Sequence, residues 1–137
     1  MKLYHGTSTK HLDDIMEKGL IEPFLTSEIE LAEHYADCEV DEAGGEPLIF
    51  EVCVNEEVLR VDFNALDEPV TYGLYEGCLE ELEELIQETY EELAELHPKW
   101  LDDGIIDIPN EEYQVSLDTV ASCWAKETIP YGRLSII

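Results

Sequence analysis

The hydrophobic pattern changes period several times along the chain, and each change predicts an element. Residues 2–6 form a short apolar-flanked run ending in Tyr4-His5-Gly6, which predicts a strand. Ser8 or Thr9 then caps a helix with Leu12, Ile15 and Met16 on one face. Lys18 sits in its last turn and Gly19 ends it. A second short strand is predicted over Pro23 to Thr26. Ser27 is the expected N-cap of the next helix, with Glu28 and Glu30 where the helix dipole favours acid. Ile29, Leu31, Ala32 and Tyr35 make the face of that helix expected to be buried.

After a turn over Asp41 to Gly45, Pro47 to Val54 predicts a strong strand and Val58 to Phe63 another. Asn55-Glu56-Glu57 between them is short enough for a hairpin-like connection. Asn64 to Gly77 is irregular. Leu79 to Leu96 is the longest expected helix, with Leu79, Leu82, Leu85, Ile86, Leu93 and Leu96 at three- and four-residue spacing. Its other face is nearly all glutamate, so packing rather than side-chain pairing must hold it. Pro98 ends it, and Asp102 to Asn110 reads as a loop. Tyr113 to Leu117 predicts a strand opening at Glu112, with two more short strands around Thr128-Ile129 and over Leu134 to Ile137. Short strands interleaved with helices, without regular β-α-β alternation, predict an α+β domain.

Size and composition fit one domain spanning residues 1–137: the chain is 45% hydrophobic, enough for a real core. Charge changes the picture more. The 34 acidic and 7 basic side chains leave a net charge of −27. Up to Glu68 there are 18 acidic and 4 basic residues, and beyond it 16 and 3, so both halves are negative and there is no acidic tail. Such a field repels nucleic acid phosphates and anionic membranes, which argues against either as a direct partner. A solubility adaptation explains it; the sharper reading is mimicry of a polyanion, or a target with a basic surface.

Cys38, Cys53, Cys78 and Cys123 have no C-x-x-C spacing and are expected to be reduced structural thiols of a cytoplasmic protein, with Cys53 in the core. No zinc site is expected from them. The motif begins at the N-terminus, so no signal peptide is expected, and no apolar run approaches the roughly 20 residues of a membrane helix.

Three polar positions stand out: His5 at a strand end, the Thr26-Ser27 turn, and Glu112 before a late strand. Gly6 after His5 lets a ligand approach the backbone closely. Singly, each has a plain structural explanation: a hydrogen-bonded histidine, a helix cap, one surface acid among many. Their order adds to this. Tyr4-His5-Gly6-Thr7, a helix ending in Gly19-Leu20, Phe24-Leu25-Thr26-Ser27 followed by Ala32 and Tyr35, and Pro47-Leu-Ile-Phe-Glu-Val-Cys-Val54 resemble the NAD-dependent ADP-ribosyltransferases. The resemblance is to their diphtheria-toxin-like and poly-ADP-ribose-polymerase-like branch. Glu112-Tyr-Gln-Val115 resembles the family's glutamate-led strand. The first 55 or so residues carry the likeness, the last 30 more loosely, and the middle is not covered.

The resemblance implies a split, mixed or antiparallel sheet with flanking helices, and NAD as substrate. It implies that His5 bonds a ribose hydroxyl and that the Gly6 backbone binds the carboxamide, with Thr7, Thr26 and Ser27 around the cofactor. Phe24 falls where the branch has a nicotinamide-stacking tyrosine, a departure that keeps stacking and loses the hydroxyl. Tyr35 or Tyr4 is the second aromatic wall. Glu112, with Glu111 as fallback, is the implied catalytic acid beside the charge that builds as nicotinamide leaves. Lys2, Lys10 or Arg133 is a candidate for the pyrophosphate. By the same analogy the loop before Glu112, with Trp100, Ile105 and Ile106, meets a target; simple burial explains these residues equally well.

The expected activity is mono-ADP-ribosylation of a protein. NAD glycohydrolysis is the same chemistry with water as acceptor. A non-catalytic alternative is an acidic inhibitor, of phage or mobile-element type, that mimics nucleic acid on a retained fold.

Overall fold

The computed structural model of the chain describes residues 1–62, 79–96 and 113–137. Strand β1 (Lys2–Ser8) leads through a 3-10 turn into helix α1 (Leu12–Lys18). Next along the chain are strand β2 (Phe24–Thr26), helix α2 (Ile29–Ala43), strand β3 (Pro47–Cys53) and strand β4 (Leu59–Val61). Helices α3 (Leu79–Leu96) and α4 (Tyr113–Val120) precede strands β5 (Ser122–Ala125) and β6 (Leu134–Ile136). The six strands form one antiparallel sheet in the order β4-β5-β2-β1-β3-β6, flanked by the helices, so the domain is α+β.

Strand alternation sorts the sheet into two faces. Leu3, Leu25, Leu48, Phe50, Val52, Leu59 and Cys123 share one face and form a core with Ile15 of α1 and Tyr113 and Leu117 of α4. The pairings Tyr4↔Thr26, Gly6↔Ile49 and Thr26↔Ser122 place Tyr4, Gly6, Thr26 and Ser122 on the other face. There α2 packs across β1 and β3, with Leu31, Ala32 and Ala36 buried. Gly6 makes this packing possible. A Cβ there would land on the Ala32 carbonyl and lie 2.9 Å from the Ala36 amide nitrogen. The glycine is thus required by a helix pressed onto the strand, not by a ligand approaching from that side.

The seam between β1 and β2 is narrow. β1 pairs with β3 over all seven of its residues, from Lys2↔Cys53 to Ser8↔Pro47, but with β2 only at Tyr4↔Thr26. Three strands lie on each side of that single pairing. The sheet is continuous there rather than split.

Several expectations need correction. Residues 113–117 are helical, not a strand. Tyr113, Ser116, Leu117 and Val120 are buried at three- and four-residue spacing, and that period outweighs the strand preference of the aromatic and β-branched residues. β3 and β4 form no hairpin. The Asn55 side chain accepts the Glu57 amide, and the turn over Glu56–Val58 sends the chain to pair with β5. Strand β5 was not expected, whereas Ile129 makes only an isolated bridge to Leu20. Ser27 does not supply the helix cap; Thr26 Oγ1 accepts the Glu28 amide at 3.0 Å. Met16 and Ile29 are exposed. Cys53 points outward on the alternation of β3, and Cys123 is the buried thiol. Cys38, Cys53 and Cys123 are free, and Cys78 lies outside the described residues. Helix α3 has the expected bounds, with Ile86 buried. No helix among the described residues is long and apolar enough to cross a membrane.

The close approach at Gly6 sets a stability test. Gly6→Ala should cost roughly 3 kcal/mol or more, since overpacking against backbone cannot relax by rotamer change. Gly132→Ala, where an added Cβ meets nothing within 4 Å, should stay within about 0.5 kcal/mol of the parent. Urea unfolding of the two variants checks the contrast.

Candidate functional site

A cavity of about 400 Å³ opens between α2 and the sheet, at the seam where β1 and β2 diverge. Its lining is Tyr4, His5 and Gly6 from β1, Phe24, Leu25 and Thr26 from β2, Tyr35, Cys38 and Glu39 from α2, and Asp62 just past β4. The volume falls within the roughly 300–1,000 Å³ of small-molecule sites. Period 2 explains Tyr4, Gly6 and Thr26, which share the sheet face under α2. Period 3.6 explains the helix side: Tyr35, Cys38 and Glu39 stand at i, i+3 and i+4 on one flank.

His5 holds the seam together. Its Nδ1 lies 2.8 Å from the Phe24 carbonyl oxygen. A carbonyl only accepts, so Nδ1 carries the proton and, in the neutral ring, Nε2 is left as an acceptor. Burial lowers the His5 pKa below the ordinary 6.5, against smaller upward pulls from the Phe24 carbonyl and the Glu39 charge. His5 is therefore neutral at pH 7 and offers an acceptor suited to a ligand hydroxyl. Phe24 is 52% exposed although it is a large aromatic side chain in a strand. Ligand stacking would cover such a ring.

Asp62 was not singled out from the sequence, yet it is the buried acid of the cavity, only 5% exposed. Ser122 Oγ donates to its Oδ2 at 2.6 Å, and its own amide donates to Ser116 Oγ at 2.9 Å. Ser122 of β5 thus fixes the carboxylate, and Ser116 of α4 fixes the backbone that carries it. Its field reaches its neighbours. Tyr35 is shifted upward, first by burial and then by Asp62 and Cys38. The Cys123 thiol is pushed up to about 12, by burial and then by Asp62. Cys38 and Glu39 were also missed, although their spacing from Tyr35 is a helical signal. Cys38 Sγ lies 3.8 Å from His34 Nε2, and Glu39 pairs with His11 Nε2 at 3.2 Å. The signal for Asp62 was a lone acid between Val61 and Phe63, inside the strand expected over Val58 to Phe63.

The structure therefore brings Tyr4, His5, Gly6, Phe24, Thr26 and Tyr35 to one cavity. Thr7 and Ser27 are elsewhere. Thr7 pairs with Leu48 on the opposite sheet face and is buried. Ser27 is exposed, with its amide bonded to the Ala121 carbonyl. Lys2 pairs with Glu51 at 3.4 Å, and neither it nor Lys10 nor Arg133 lines the cavity. Glu111, Glu112, Trp100, Ile105 and Ile106 lie outside the described residues. Helix α4 begins at Tyr113, directly after Glu112 in sequence, so the strand that was to present this acid is not formed.

The His5 shift has a defined sign. Its folded pKa is depressed, so as pH falls through 6.5 the unfolded chain takes up the proton first. The stability contributed by the neutral ring is present above that pH and lost as pH drops through the folded value. Imidazole NMR should show His5 titrating below 6.5. His5→Gln should remove this share of the acid-side stability loss, read as the difference between the two chains' unfolding curves from pH 7.5 to 5. The chain matches no protein-family model, no curated protein and no solved structure.

Proposed function

We propose that the cavity binds NAD with its nicotinamide between Phe24 and Tyr35, and that the protein transfers ADP-ribose to a protein acceptor with release of nicotinamide. One observation carries this reading. His5, Phe24, Thr26 and Tyr35, from three elements, converge on a cavity that also holds a fixed, buried carboxylate at Asp62. An ADP-ribosyltransferase-like fold belongs to the same proposal. The antiparallel sheet with flanking helices and the cavity at the β1-β2 seam support it.

Each group has a task on this reading. The His5 Nε2 accepts from a ribose hydroxyl. The ring must be neutral with its proton on Nδ1: burial favours the neutral form, and the Phe24 carbonyl holds the proton on Nδ1. Phe24 stacks on the pyridine ring and Tyr35 closes the other side. When the bond from ribose C1′ to the ring nitrogen breaks, the bonding pair moves onto nitrogen. The ring becomes neutral and positive charge develops on the ribose. A carboxylate fixed beside that charge stabilises the transition state. Among the described residues Asp62 is the buried acid in place for this, and Glu112 remains the acid the resemblance implies. The acceptor then attacks C1′ and gives up its proton. The net charge of −27 suits an acceptor protein with a basic surface, and diffusional encounter would be steered accordingly.

Nicotinamide release from NAD tests the proposal, with and without a cell lysate, followed by mass spectrometry for ADP-ribosylated proteins. Release with label on protein is the expected result; release with water as sole acceptor identifies a glycohydrolase. His5→Ala should lower kcat/KM about 100-fold or more, and Phe24→Ala should act mainly on KM. Asp62→Asn run beside Glu112→Gln shows which carboxylate serves, since the stronger loss marks it. No release from a folded protein under any condition sinks the enzyme. Salt-sensitive binding to a basic protein would then favour the inhibitor.

A further inference from the structure

The cavity contains one sign of charge. Asp62 is buried in its wall and Glu39, which His11 meets at 3.2 Å, lies on its helical side, while no lysine or arginine lines it among the described residues. Three aromatic rings, Tyr4, Phe24 and Tyr35, also line it, beside a neutral His5. Aromatic faces carry negative potential and attract a cation within about 6 Å of the ring. Carboxylates in a partly desolvated wall do the same more strongly than in water. An anion meets the reverse.

We infer that this site selects a positively charged N-substituted pyridinium ring over its neutral counterpart. This rests on the reading of the cavity as a nicotinamide pocket. It goes further in assigning what is recognised, which is the ring's charge rather than its shape or its carboxamide. A second consequence concerns the product. Bond cleavage turns the cationic ring into neutral nicotinamide, which the same lining holds weakly, so the product leaves without a separate opening step.

The probes are 1-methylnicotinamide, which carries the charge without ribose or phosphate, and nicotinamide, which has the same ring uncharged. Binding is measured by ligand-observed NMR or calorimetry. The net charge of −27 attracts any cation, so the measurement is made in 0.5 M salt, where the Debye length of roughly 4–5 Å screens the distant surface. The expected result is at least about tenfold tighter binding of 1-methylnicotinamide. Asp62→Asn and Glu39→Gln should each shrink that ratio, and Phe24→Ala should weaken the cation more than the neutral ring. Circular dichroism confirms that each variant is folded. If Asp62→Asn fails to fold, Glu39→Gln and Phe24→Ala still decide. Equal or tighter binding of nicotinamide overturns the inference, as does a preference unchanged in every folded variant. Nicotinamide release from NAD is scored separately. A cation preference without turnover leaves this site standing and removes the enzyme, whereas turnover without the preference does the opposite.

Discussion

The contact on which the other features depend is backbone against backbone: α2 lying on β1 at Gly6. No side chain separates the Ala32 carbonyl from the strand. Two alanines, Ala32 and Ala36, keep the helix equally close on its own side. This fixes α2 along the sheet, and the helical repeat then carries Tyr35, Cys38 and Glu39 to the flank over the seam. A larger residue at position 6 would raise the helix and move that wall as a unit. The residue that looked most like a ligand contact thus acts first as the spacer that sets the width of the cavity.

The second constraint is electrostatic. A chain of charge −27 pays for compaction in self-repulsion, yet the structure still buries Asp62. Hydrogen bonds from Ser122 to its carboxylate and from its amide to Ser116 hold it in place. Breaking such an arrangement by removing one partner usually costs more than the arrangement contributes. An acid kept in the interior of so acidic a protein is the residue whose placement calls most for a functional account.

Much of the first half was legible because its signals are local. The strand at Lys2, the stop at Gly19, the short strand at Phe24, and the alternation from Pro47 each depend on neighbours in sequence. The second half was not, for identifiable reasons. Tyr113-Gln-Val-Ser-Leu carries strand-forming residues at helix spacing, and only burial on the core decided between them. The partner of β4 lies more than 60 residues later, and no local pattern announces that pairing. Cys53 looked internal because its neighbours are apolar, but a strand buries alternate residues. At the site, the residues found in advance were those of a contiguous motif. Asp62 escaped because its importance comes from Ser116, Ser122 and Tyr35, which are distant in sequence. Glu112 was chosen for the strand expected after it, and α4 stands there instead.

The single pairing at Tyr4↔Thr26 has a mechanical consequence. The sheet is two three-stranded plates, joined at one residue pair and tied across by the imidazole of His5 to the Phe24 carbonyl. A full ladder resists a change in the angle between strands; one pairing and one side-chain tie form a flexure. A ligand seated there touches both plates and acts as a splint, so its binding energy is divided between recognition and stiffening. Protonation of His5 would leave its tie to the carbonyl intact while removing the acceptor nitrogen. The seam would then keep its geometry as the cavity lost that acceptor.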